Sequence, residues 1–427
     1  MDTKNVIAAI SLSAAVIILY ALFFGPSPEE IKQNKINQEQ VKQEQTQKSS
    51  DTPSLDQNEN FAKSTRKESL TENERVQFEN NNVVGSISLK GATIDDLTFK
   101  EYNVELNSNE KVILLNPRNV EDGYLIESGF VTTNKNIEIP NSNTVWKVEG
   151  NKKLTNKNPI KLTWSNAQGI TFEKHISLDN QFLFTVKQKI INLSDKTYNF
   201  YSYGQIIRNK IPQISNFYIL HEGLIATLDD ELIEEDYDDI QETKFSKTAQ
   251  KGWLGISDKF WISSIIPPRG KEFKLTFDYK NKFRANYISA EGIEAGPNDT
   301  IEEEIQIIVA AKRVNVIDGY AENLKIDKFD LVIDWGMLYF LTRPMFFAID
   351  YFFKLCGNYG VAIILMTLAI RIAIFPLANY SFRSMAKMKI LQPEMTRLKE
   401  LHKDDKVKLQ QETMALYKRE KVNPLSG

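Results

Sequence analysis

An arginine inside an apolar run is the residue of this sequence with the most chemical consequence. Tyr359 to Phe375 reads YGVAIILMTLAIRIAIF, and Arg371 is its one charged side chain. A guanidinium cannot shed its proton, and placing it in a membrane-spanning helix costs roughly 2.5–3.5 kcal/mol on insertion scales, so something must compensate it. Two arrangements do so. In one, Arg371 faces a wet cavity on the cytoplasmic half of the membrane and meets carboxylates of a passing substrate. In the other it snorkels to the headgroups, because only about a turn and a half of helix separates it from Pro376.

Other constellations carry less. Ser384-Met385-Ala386-Lys387 matches the S-x-x-K of acylating serine enzymes. Its K-T-G partner is missing, and the nearest triplet, Lys247-Thr248-Ala249, lies upstream. No G-x-S-x-G, P-loop or dinucleotide fingerprint occurs. The acids Asp229, Asp230, Glu231, Glu234, Glu235, Asp236, Asp238 and Asp239 are dense. Glycoside chemistry needs two carboxylates roughly 5–9 Å apart across a cleft, whereas such a run reads as a solvated loop. His175, His221 and His402 are far apart, and Cys356 is the one cysteine, so neither a zinc site nor an intramolecular disulfide is expected. The expectation is a non-enzymatic protein without cofactor or metal.

Composition makes any membrane character local. The 427 residues are 26% charged and 42% hydrophobic, with 53 basic and 56 acidic side chains. A net charge of -3 gives no global field for DNA, so only the distribution of charge is informative.

The elements that must position Arg371 follow from periodicity. Val6 to Phe24 is 19 residues without a charge, long enough to cross a hydrocarbon core of roughly 30 Å. Its length and its bulky end, Tyr20 to Phe24, favour an uncleaved anchor (1–25) over a signal peptide. Residues 26–80 are polar and read as a flexible linker. Beyond Val83 the period becomes two, as in Phe182-Leu183-Phe184-Thr185-Val186, and no regular strand–helix alternation follows. Residues 81–315 are therefore expected to form an antiparallel β-sandwich. Residues 316–357 hold a short helix and an amphipathic one, Met345 to Leu355, placed either along a membrane surface or in an ordinary core.

The second spanning helix is expected at 358–382 and a cytoplasmic helical hairpin at 383–427. Leu391, Met395 and Leu398 form one stripe of that hairpin, Val407, Met414 and Tyr417 the other, with the turn at His402 to Asp405. From Arg383 to Lys421 there are eleven basic and six acidic residues, a balance of +5. The positive-inside rule puts this end in the cytoplasm, the β domain outside, and the N-terminus inside. The basic face of the hairpin suits anionic lipid, ribosomal RNA or a targeting receptor, and equally plain solvation.

The run from Asn358-Tyr359-Gly360 through Arg371, Pro376-Leu377, Ser384 to Met388, Leu391-Gln392-Pro393 and Val422-Asn423-Pro424-Leu425 resembles the YidC branch of the YidC/Oxa/Alb insertases. Gly85-Ser86-Ile87, Gly91, Asp95-Asp96-Leu97, Gly252-Trp253, Trp261, Pro267 and Asp334-Trp335-Gly336 extend the resemblance over nearly the whole chain. It implies a multi-pass protein of the bacterial inner membrane with a periplasmic β-supersandwich and an interfacial helix. It also implies that Arg371 lies in a hydrophilic groove that receives nascent membrane proteins, alongside the Sec translocon, from ribosomes, in contact with membrane lipid. Family members continue beyond Leu425 into further spanning helices, which are expected to complete the groove. A membrane-anchored carbohydrate-binding or adaptor protein is the competing reading of a β-sandwich on a tether.

Overall fold

The computed structural model describes residues 64–212, 221–336, 338–403 and 405–420. The expected anchor at 1–25 and most of the expected linker lie outside the described residues. Two compact units divide at Asp334 and Trp335.

The first unit opens with helix α1 (Arg66–Glu72), started by a capping box in which Thr65 and Glu68 satisfy each other's backbone N–H groups. The strands β1 (Arg75–Glu79), β2 (Val83–Ser88), β3 (Thr93–Asn103), β4 (Lys111–Leu115) and β5 (Tyr124–Thr132) follow. Next come β6 (Lys147–Glu149), β7 (Lys153–Thr155), β8 (Ile160–Ser165), β9 (Ile170–Leu178), β10 (Leu183–Asn192) and β11 (Tyr198–Arg208). After them stand β12 (Gly223–Leu228), β13 (Glu231–Asp236), helix α2 (Tyr237–Glu242), β14 (Phe245–Ala249), β15 (Gly252–Ser257) and β16 (Trp261–Ile266). The last strands are β17 (Phe273–Tyr279), β18 (Phe283–Ser289), β19 (Ile293–Ala295) and β20 (Thr300–Ala311).

These strands make two sheets. One has eleven strands, in the order β14-β17-β18-β11-β5-β3-β2-β1-β7 with β19 and β4 paired beside it; the other has nine, β13-β12-β15-β16-β20-β10-β9-β8-β6. Pairing is antiparallel apart from β1 with β7. Alternation puts Ile170, Phe172, Ile176 and Leu178 of β9 inward, and ring pairs such as Phe78 with Phe184, 5.1 Å apart, lock the two inner faces together. The result is a large antiparallel β-sandwich.

The motif residues of the first strands form a polar nucleus at one side of this core. A Cβ on Gly85 would lie 1.9 Å from the carbonyl oxygen of Asp96, so only glycine lets β2 and β3 approach there. Ser86 Oγ then donates to Asp96 Oδ2 at 2.6 Å, while Arg75 pairs with Asp95 and Arg66 with Asp96.

Three sequence expectations need correction here. The linker drawn to residue 80 ends sooner: α1 and β1 belong to the sandwich, and Phe78 is 0% exposed. Only Val76 and Phe78 are apolar between Arg75 and Glu79, so composition hid the strand. The acidic stretch is not a loop; Glu231–Asp236 is an edge strand and Tyr237–Glu242 a helix, with Ile233, Tyr237 and Ile240 buried. Charged side chains on an edge strand discourage pairing with other chains. Finally, helix α3 (Val314–Asn323) and the 3-10 turn Phe329–Val332 bury Ile317, Phe329 and Val332 in the sandwich core, so the β domain runs to Asp334 rather than 315.

Candidate functional site in the long apolar helix

The second unit consists of α4 (Tyr339–Cys356), α5 (Tyr359–Leu401) and α6 (Lys406–Arg419). Its α4 stops at Gly357, whose φ of 68° ends the helix in the left-handed region that glycine enters without strain. Asn358 caps the next helix by accepting from the Val361 N–H. Asp350 and Lys354 pair along α4 at 2.6 Å, and Phe353 meets Tyr359 across the joint with centroids 4.6 Å apart. Ala362 is fully buried at this junction.

Large apolar side chains of both helices are exposed: Phe340, Phe347, Tyr351 and Leu355 on α4, then Ile364, Leu368, Ile372, Phe375 and Leu377 on α5. A surface of this kind requires an apolar environment. Among the described residues α5 is the one helix long and apolar enough to cross a membrane, with a mean hydropathy of 2.4 in its most apolar stretch.

Arg371 lies on α5, exposed, roughly 18 Å along the axis from Tyr359 and 6 Å before Phe375. Its side chain makes no hydrogen bond or ion pair among the described residues. At 100° per residue its face carries Gly360, Ile364, Thr367, Ala378 and Phe382. The Thr367 hydroxyl donates to the Ile363 carbonyl at 2.8 Å and is thus satisfied within its own helix. The one polar neighbour on that face therefore leaves the guanidinium uncompensated. Thr367 was not singled out in the sequence, although its i−4 spacing from Arg371 marks the shared face.

The helix does not end where the expected span ended. It continues through Pro376 and Pro393 to Leu401 without interruption, so the boundary drawn at residue 382 falls inside one 43-residue helix. After the turn at His402, α6 folds back: Tyr417 donates to Met395 Sδ at 3.2 Å, and Leu416 is buried. Leu391, Met395 and Leu398 form the inward stripe of α5, as their spacing implied. On α6 the inward residues are Leu409, Leu416 and Tyr417, while Val407 and Met414 are 69% and 59% exposed. Both choices keep helical spacing; the sequence pattern of α6 alone does not distinguish the two faces. The basic side chains described between Arg383 and Arg419 are exposed. Ser384 is buried and Lys387 exposed, and no cluster of metal-binding side chains occurs among the described residues.

An antiparallel β-sandwich joined in one chain to a lipid-seeking, arginine-bearing helix defines a membrane protein with a large extramembrane domain. Residues 75–348 match the family model of the YidC periplasmic domain, and residues 351–427 that of the 60Kd inner membrane protein. The membrane protein insertase YidC of Pelagibacter ubique (strain HTCC1062) is 73% identical over 427 residues, all of this chain and 76% of that protein. The YidC insertase of Brucella melitensis biotype 1 is 38% identical over 454 aligned residues, all of this chain and 74% of that protein. A solved structure, described as an active YidC insertase with the first transmembrane domain resolved, is 12% identical, with a TM-score of 0.28, over 92% of this chain and 73% of that one. The chain belongs to the YidC family of inner-membrane protein insertases, and its activity is the non-enzymatic insertion of nascent membrane proteins.

Proposed function

We propose that Arg371 is the polar foothold of insertion. The observation that carries this reading is a permanently charged guanidinium, without a partner among the described residues, on the most apolar stretch of α5. Retaining such a group costs energy unless water and substrate compensate it. In this reading α5 crosses the membrane and Arg371 faces a wet groove in the cytoplasmic half. Acidic or hydrophilic tails of a substrate pause at Arg371 while its hydrophobic segment partitions into lipid.

The remaining topology follows from charge and apolar surface. The span Val6 to Phe24 is an uncleaved anchor, the β domain is periplasmic, α4 lies in the interface, and the basic hairpin of α5 and α6 is cytoplasmic. That hairpin meets anionic lipid headgroups and the ribosome by charge, and the protein works as insertase and chaperone alongside the Sec translocon. Site-specific photocrosslinking tests the groove: a probe at Ala378, on the Arg371 face, is expected to capture a stalled nascent membrane protein, and one at Ala373, on the opposite face, is not. Equal capture from both positions, or capture from Ala373 alone, would overturn the placement.

A further inference from the structure

Helix α5 carries the face of Arg371 out of its apolar stretch and into the basic hairpin. At 100° and 1.5 Å per residue, the step from Arg371 to Lys389 makes about five full turns, so the two stand on one line about 27 Å apart. Pro376 withdraws one hydrogen bond between them, yet the helix runs on unbroken. Lys389 is exposed, and its side chain makes no hydrogen bond or ion pair among the described residues. The other cations of α5, Arg383, Lys387, Arg397 and Lys399, lie about 80° or more from that line. Glu400, the acid of α5 nearest to the line, stands about 44 Å from Arg371, at the hairpin turn.

Packing within the second unit keeps this line open. Ala362, buried at the joint with α4, and Leu391, Met395 and Leu398, the inward stripe toward α6, lie about 120–180° around the axis from Arg371. Phe382 and Met385, within about 40° of the line, are 67% and 41% exposed. Two cations with exposed apolar side chains between them therefore share one free face of a single helix.

We propose that this face is the entry track of the substrate and that Lys389 is its outer foothold, holding an acidic residue of the nascent chain's polar tail before Arg371 does. The inference rests on the reading of Arg371 given above. Charge and length select the occupant: an extended tail of about eight residues bridges 27 Å, so acids spaced along it meet both cations while apolar residues rest on Phe382 and Met385. Anionic headgroups are the other source of negative charge, and Lys389 stands beyond them. With Arg371 in the cytoplasmic half of a core roughly 30 Å thick, and α5 at the tilt of about 20° usual for spanning helices, Lys389 lies more than about 10 Å past the hydrocarbon edge. The headgroup layer is only about 5–7 Å deep.

The test is insertion of a single-span substrate into proteoliposomes carrying the wild-type insertase, Lys389→Ala, Lys389→Glu, Arg383→Glu or Arg371→Ala, with an acidic or a neutral translocated tail. For the acidic tail a loss of about threefold is expected from Lys389→Ala and about tenfold from Lys389→Glu, as for an exposed ion pair broken or reversed. The neutral tail is expected to insert equally well with either Lys389 variant, and Arg383→Glu, about 120° away, to leave acidic-tail insertion unchanged. Equal losses for both tails, an equal loss from Arg383→Glu, or no loss at all would overturn the track. So would an effect of Lys389 confined to liposomes with anionic lipid and absent from phosphatidylcholine, which would assign the lysine to headgroups. Arg371→Ala separates the two readings: normal insertion by that variant defeats the role of Arg371, while a photocrosslinker at Met385 still decides the track. Capture of an arrested acidic-tailed chain from Met385, weakened by Lys389→Glu, is expected; capture indifferent to Lys389→Glu sinks the proposal.

Discussion

Lys174 Nζ donates to the backbone carbonyl oxygen of Ser128 at 2.6 Å and so ties the nine-stranded sheet to the eleven-stranded one through the interior of the sandwich. Gln188 stands opposite Lys174 in the β9–β10 register with an unpartnered amide, and the Trp146 ring lies 5.3 Å from the amine. Lysine is a costly choice for an inward-facing strand position.

Burial holds the Lys174 amine down to about 7, against about 10.4 for a lysine in the unfolded chain. Between those values the unfolded state binds a proton that the folded state does not, so stability contributed by this site rises with pH from about 7 to about 10. The slope approaches roughly 1.4 kcal/mol per pH unit. Replacing Lys174 by Met is expected to raise the unfolding temperature of the β domain near pH 7 and to flatten its rise with pH. Thermal unfolding of the solubilised chain across that range checks this, and an unchanged slope would count against it.

Arg75 and Asp95 pair with side chains only 6% and 9% exposed. Removing one partner from such a pair leaves a buried charge and costs about 3–5 kcal/mol. Arg75→Met should therefore destabilise the β domain by that order, and the double variant with Asp95→Asn should recover a large part of the loss. Denaturant unfolding of the single and double variants reads the coupling directly; additive losses would mean that the two groups stand alone.

Phe78 places the test for the first strand. Phe78→Ala is expected to cost about 3–5 kcal/mol, as for other buried aromatic side chains. A change under about 0.5 kcal/mol, typical of surface substitutions, would mean that the sandwich starts after residue 80.

Periodicity was legible wherever both sheets imposed alternation, as at Phe172 to Ser177 and Ile301 to Ala311, because half of each strand must face the core. It failed at Val76 and Phe78, where two apolar residues sit in a polar stretch, and at Leu232 and Ile233, where edge charges dominate. It also did not show that α3 packs under the sandwich, since the short stripe Val314, Val316, Ile317 and Tyr320 does not by itself name what covers it. Arg371 was legible because an ionised group in 17 otherwise uncharged residues stands out on any hydropathy scale. The line shared by Arg371 and Lys389 was not, because a boundary expected at residue 382 put the two in separate helices.

The hairpin gives a contrast between two aliphatic positions on α6. Leu416→Gln is expected to loosen α6 and speed its amide hydrogen exchange, whereas Val407→Gln, on the open face, should leave exchange unchanged. Faster exchange from the Val407 variant alone would reverse the assignment of the packed face.

Insertion by Arg371 variants is the most direct measurement. Proteoliposomes carrying the wild-type insertase, Arg371→Ala or Arg371→Lys are given a short single-span substrate with an acidic translocated tail, and protected tail is quantified. Loss of a charge-assisted contact of roughly 1.5–3 kcal/mol should lower insertion about tenfold or more in the alanine variant, while lysine, which keeps the charge, retains most of it. Wild-type insertion by both variants would contradict the role of Arg371 as the substrate's foothold.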